Sequence, residues 1–137
     1  MSRSNYSDDC DSWEIIRWRG AVNSAIKGAR GQKLLRDLAT AMDAMPKKHL
    51  IAYQIIDFEG NFCALGVVGN ARGISHETLY GVDPEDANAM ASLFDIAPAL
   101  VQEIVCMNDD DYPSMKPDTR WSCMREWVRS QINEAKP

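Results

Sequence analysis

The chain has 137 residues and a formal net charge of -5, from 15 basic and 20 acidic side chains. Its 45% hydrophobic and 26% charged residues match a globular protein and exclude a disordered, collagenous or coiled-coil chain. One domain is expected at this length, and the acidic balance excludes a uniformly basic coat for nucleic acid.

Residues 1–11, MSRSNYSDDCD, lack the apolar core of a signal peptide and read as an acidic tail; residues 12–135 read as a single globular domain. The uncharged run Gly60–Ala71 is shorter than the roughly 20 residues that span a bilayer. No membrane partner is therefore expected, and a cytosolic location is the default expectation. Cys10, Cys63, Cys106 and Cys123 contain no C-x-x-C pair, and only His49 and His76 accompany them. This pattern predicts neither metal nor cofactor.

A first helix is predicted after Asp11, where Glu14 completes a capping box, with Ile15, Trp18, Val22 and Ile26 on one apolar stripe. Gly28 weakens its end. A second helix, about 31–44, buries Leu34, Leu38, Ala41 and Met45 and stops at Pro46. The period then changes: 49–56 is rich in β-branched and aromatic residues, Asp57–Asn61 signals a turn, and Phe62–Leu65 resumes the apolar run. This reads as a β-hairpin with its tip near Gly60. Gly66, Gly69 and Gly73 read as backbone turns, because they do not make a phosphate-binding glycine motif. Asp83-Pro84-Glu85-Asp86 starts a helix running to Phe94, Pro98 starts another to about Met107, and a last one spans about 118–134. The expected fold is α+β and mainly α, with about five helices packed on one β-hairpin.

Charge is segregated. Arg17, Arg19, Lys27, Arg30, Lys33 and Arg36 fall in a segment without an acid. Glu77, Asp83, Glu85, Asp86, Asp95, Glu103, Asp109, Asp110 and Asp111 fall in one without a base. At helical spacing Arg19, Asn23, Lys27 and Arg30 share a shoulder of the first helix. Arg17, Arg19, Lys27, Arg30 and Lys33 are thus candidates for holding a partner or phosphates. Glu103, Asp109, Asp110 and Asp111 are candidates for an acidic surface that mimics phosphate. Trp13 and Trp127, off the apolar stripes, are candidate exposed anchors. Residues 88–109 echo a helix-turn-helix, but the second helix carries Glu103 and no base, which disfavours DNA. No motif for nucleophilic or metal-assisted catalysis occurs, so no enzyme activity and no catalytic residue is expected.

The stretches Arg17–Gln32, Cys63–Ile74, Ile96–Val105 and Arg120–Val128 resemble a family of small phage and prophage proteins of unassigned function. The resemblance implies a host-cell setting and no functional residues. Together with the charge segregation it sets the leading expectation: a phage-encoded, non-catalytic binding protein that inhibits or redirects a host factor, such as defence or nucleic-acid machinery. A host protein is then the partner, and self-association is compatible with it. The alternatives are a nucleotide or nucleic-acid binder using the basic first-helix region, and a small enzyme.

Overall fold

Gly28 adopts an extended backbone conformation and separates the first two helices, α1 (Ser12–Lys27) and α2 (Ala29–Asp43). The computed structural model describes residues 12–109 and 115–132, with side chains from residue 16 onward. The acidic tail, the side chains of Trp13 and Ile15, Asp110, Asp111 and residues 133–135 lie outside the described residues. The two helices meet closely. A Cβ on Gly31 would lie 1.9 Å from the carbonyl oxygen of Ala25, so only glycine fits there. Gln32, buried beside it, donates through Nε2 to the carbonyls of Ile26 at 2.7 Å and Gln131 at 3.0 Å. It thereby satisfies acceptors that α1 and the last helix leave unpaired at their C-terminal ends.

After α2 the chain is irregular to Cys63 and then forms α3 (Ala64–Ala71), α4 (His76–Gly81), α5 (Ala87–Phe94), α6 (Pro98–Asp109) and α7 (Pro117–Gln131). The described residues are thus all-helical, with seven helices and no strand, and the expected α+β fold with a hairpin is overturned. A single antiparallel bridge, Ile56 to Phe62, remains around the anticipated turn. That turn does form: the Asp57 N–H donates to Asn61 O at 2.9 Å, and Gly60 takes φ +80.

Two features prevent the strands. Tyr53 adopts φ 69, a left-handed conformation that interrupts any extended run. The run after Phe62 coils into α3 because its first N–H, that of Ala64, is captured at 2.9 Å by Asn108 Oδ1 from α6. A short, wholly apolar segment has no period that separates strand from buried helix. Gly66 completes the arrangement, since a Cβ there would sit 2.2 Å from Ile55 O.

The other departures are local. Asp83 does not cap α5; its Oδ1 accepts the Glu85 N–H at 2.9 Å in a turn, and Asp86 caps instead, accepting from Ala89 N–H at 3.1 Å. Ser75 caps α4, which the sequence did not suggest.

Helix α2 packs on α1, α3 and α7, while α6 packs on α1, α3, α5 and α7. One hydrophobic cluster runs through them, including Leu34, Leu38, Met42, Leu65, Val68, Phe94, Ile104, Met124 and Val128. The expected stripe of α1 is buried at Trp18, Val22 and Ile26. No single described helix is long and apolar enough to cross a membrane.

Candidate functional site

Two concave surfaces stand out among the described residues. The larger, a cavity of about 420 Å³, opens between α1, α6 and α7. Its apolar wall is Trp18, Val22, Ile26, Met107 and Trp127. Trp18, Val22 and Ile26 recur every four residues and form one row along α1; Arg19 and Asn23 form the adjacent row and reach the same cavity. Glu103 and Gln131 add a carboxylate and an amide. Glu103 is only 6% exposed, and the indole N–H of Trp18 is buried with no hydrogen-bond acceptor. Buried donors are nearly always paired, so such an N–H is costly to the fold.

Arg19, Glu103 and Trp127 come from three separate groups of candidates in the sequence, basic, acidic and aromatic. The packing of α1, α6 and α7 brings them to one cavity. The remaining basic candidates go elsewhere. Arg17 and Lys27 are exposed on α1 outside the cavity wall. Arg30 stands on α2, since α1 ends before it, and pairs with Asp95 at 3.2 Å. Lys33 lies 3.5 Å from Asp37, the carboxylate that also holds Arg72 at 2.7 Å. Part of the basic segment therefore pairs with acids of the same chain. Trp127 is half-buried against the core rather than freely exposed.

Asp109 serves the fold: its Oδ1 accepts the Tyr53 N–H at 3.1 Å and the Asn108 Nδ2 at 2.8 Å. Helices α5 and α6 bend by 102° about Asp95, as in a helix-turn-helix. No residue of the second helix after Pro98 is exposed, so it offers no free face to a groove of DNA.

The second surface is a groove of about 240 Å³ between residues 53–58 and 79–84. Tyr53, Phe58 and Tyr80 line it and are 62%, 97% and 51% exposed. Apart from Ile16, these are the large exposed hydrophobics among the described residues. Their placement is built. The Tyr53 backbone is held by Asp109, and the Tyr80 hydroxyl donates to Asp57 O at 2.6 Å. The Asn61 N–H, supported by the Asn61 amide and the Glu59 N–H, holds the Asp57 carboxyl below its ordinary range. Asp57 is in the groove wall, and Glu59, Asp83 and Glu85 are exposed beside wall residues Phe58 and Pro84. Among the described residues no base lines the groove.

The histidines have local partners: His49 Nε2 meets Asn61 Oδ1 at 3.0 Å, and His76 Nε2 meets Asn70 Oδ1 at 3.1 Å. Cys63 is buried at the start of α3, and burial pushes its thiol up to about 12 despite the nearby N–H groups of Gly66 and Leu65.

The aromatic groove was not singled out from the sequence. One signal was present. Phe58 sits at a turn tip, between Asp57 and Glu59, where no core is available to receive it.

No family model matches this chain, and no curated protein or solved structure matches it.

Proposed function

We propose that this chain is a non-catalytic binding protein whose aromatic groove captures a basic segment of a protein partner. The carrying observation is the clustering of Tyr53, Phe58 and Tyr80 around one acid-edged groove, with Phe58 almost wholly exposed. Exposed aromatics are favoured anchors at interfaces because they bury large area at small entropy cost. Scattered exposure needs no explanation, but three aromatics gathered on one groove support the reading of a binding surface. The carboxylates of Asp57, Glu59, Asp83 and Glu85 select a basic occupant and repel nucleic-acid phosphate. On the resemblance to small phage and prophage proteins, the partner is a host factor that this contact inhibits or redirects.

The test is affinity capture from a bacterial host lysate with wild type and Phe58→Ala, followed by calorimetry with each purified partner identified. Wild type retains a partner whose binding weakens with salt, and Phe58→Ala loses it at unchanged thermal stability. An identical set of captured proteins for both chains refutes the reading.

A further inference from the structure

We infer that the aromatic groove also receives a second copy of this chain, which presents the outer face of its α1. The inference rests on the reading of the groove as a surface for a basic segment, and it names one such segment.

The large exposed hydrophobics among the described residues fall in two places. Tyr53, Phe58 and Tyr80 are on the acid-edged groove, and Ile16, 59% exposed, is on α1. At about 100° per residue, Arg17, Gly20 and Lys27 fall on the same side of α1 as Ile16, and all are exposed. The buried row Trp18, Val22 and Ile26 is on the other side. One surface is therefore apolar and basic, the other apolar and acidic.

The chain itself leaves both sets of charges unpaired. Its ion pairs among the described residues join Arg30, Lys33, Arg72 and Arg125 to Asp37, Asp43 and Asp95. Arg17 and Lys27 of α1, and Glu59, Asp83 and Glu85 at the groove edge, enter none of them. Opposite charges of this kind steer and orient an encounter. Shape agrees with charge. A Cβ on Gly20 would meet nothing within 4 Å, so the protruding Phe58 ring can approach the α1 backbone between Ile16 and Lys27. Arg17 also suits an aromatic face. Burial of Trp18, Val22 and Ile26 fixes α1 against its own core, so its outer face meets the groove of another copy. Each copy offers one α1 face and one groove, which makes the contact head-to-tail. A basic partner must then displace it.

Sedimentation equilibrium of the full chain tests the contact with two complementary variants. Wild type self-associates as its concentration rises, and added salt weakens the association. Phe58→Ala keeps α1 but spoils the groove. Arg17→Glu with Lys27→Glu keeps the groove but reverses the charge of α1. All three positions are exposed, so both variants fold, as circular dichroism checks. Each variant alone associates about tenfold or more weakly than wild type, the loss expected of an interface anchor. Mixed in equal amounts they form a one-to-one heterodimer, because one supplies α1 and the other the groove. A wild type that stays monomeric to millimolar concentration overturns the inference and leaves capture of a host factor by the groove standing. Association that survives in either variant alone, or a mixture no heavier than its components, also overturns it. Heterodimer formation without any Phe58-dependent capture of a host protein upholds the inference and refutes the host-factor reading.

Discussion

Asn108 is the residue whose removal the structure prices most clearly. It is 2% exposed and bonds three ways. Its Oδ1 accepts the first N–H of α3, from Ala64, at 2.9 Å. Its Nδ2 donates to Ile51 O at 2.9 Å and to Asp109 Oδ1 at 2.8 Å. Its own carbonyl accepts from Nη1 of the buried Arg120, so α7 is tied to the same node. Asn108→Ala keeps the backbone bond to Arg120 but strands the Ala64 N–H and the Ile51 carbonyl. A stranded group costs about 1–3 kcal/mol; with the buried Ala64 N–H near the top of that range and the part-buried Ile51 carbonyl near its bottom, a loss of about 3–4 kcal/mol is expected. For a domain of this size that corresponds to a fall in Tm of roughly 10–16 °C.

Urea unfolding followed by circular dichroism measures the loss as a lower midpoint with an unchanged slope. Hydrogen exchange supplies the specific readout: the Ala64 amide loses protection more than amides in the middle of α2. The loss of the Asp109 contact also loosens the Tyr53 backbone, so partner binding weakens with it. A destabilisation below about 1 kcal/mol, or an Ala64 amide as protected as before, refutes the role of Asn108 as the remote cap of α3.

Glycine substitutions separate close approach from simple flexibility. Gly66→Ala meets the Ile55 carbonyl at 2.2 Å and is expected to destabilise by about 3 kcal/mol or more, whereas Gly20→Ala, open on all sides within 4 Å, stabilises α1 by about 0.5–1 kcal/mol. Denaturant titrations of the two variants shift in opposite directions. Phe58→Ala changes Tm by less than about 2 °C, because the ring is 97% exposed, and this scan is the stability control for its loss of partner binding. Thiol labelling at pH 8 modifies the exposed Cys123 in the native state and reaches Cys63 only on unfolding. The folded Cys63 thiol, raised from its ordinary 9.0 to about 12, binds its proton more tightly than the unfolded one. Its contribution to stability is therefore intact below pH 9 and is lost as pH rises toward 12, which urea midpoints across that window report.

Asp43 titrates in the opposite sense. Its hydrogen bonds from Arg125, both at 2.8 Å, lower its folded pKa below 3.8, so its small contribution is present above pH 3.8 and is lost as pH falls through the depressed value. Arg125→Ala is expected to flatten the acid limb of the stability profile by less than about 1 kcal/mol, a difference that paired acid titrations detect.

The sequence by itself determined the elements whose signal is local. The four-residue recurrence of Trp18, Val22 and Ile26 declares the buried face of α1. Pro98 marks the start of α6, and the Asp57–Gly60 turn forms where its residue types place it. Those signals act within one or two turns of chain, where propensity and periodicity are sufficient.

Tertiary structure decided the rest. Whether the run Phe62–Leu65 became strand or entered a helix turned on a cap from Asn108, 44 positions from the Ala64 N–H it accepts. The left-handed Tyr53 is held by a carboxylate 56 positions away, that of Asp109. Charge patterning picked out Arg19 and Glu103 separately, but only the packing of α1 against α6 and α7 gives them a shared cavity with two indoles. The same packing assigns Arg30 to Asp95 and places Lys33 beside Asp37. Net charge alone counted these residues as a surplus. Hydrogen bonds and ion pairs between remote segments leave no period in the sequence, because neither partner needs the other until the chain has folded.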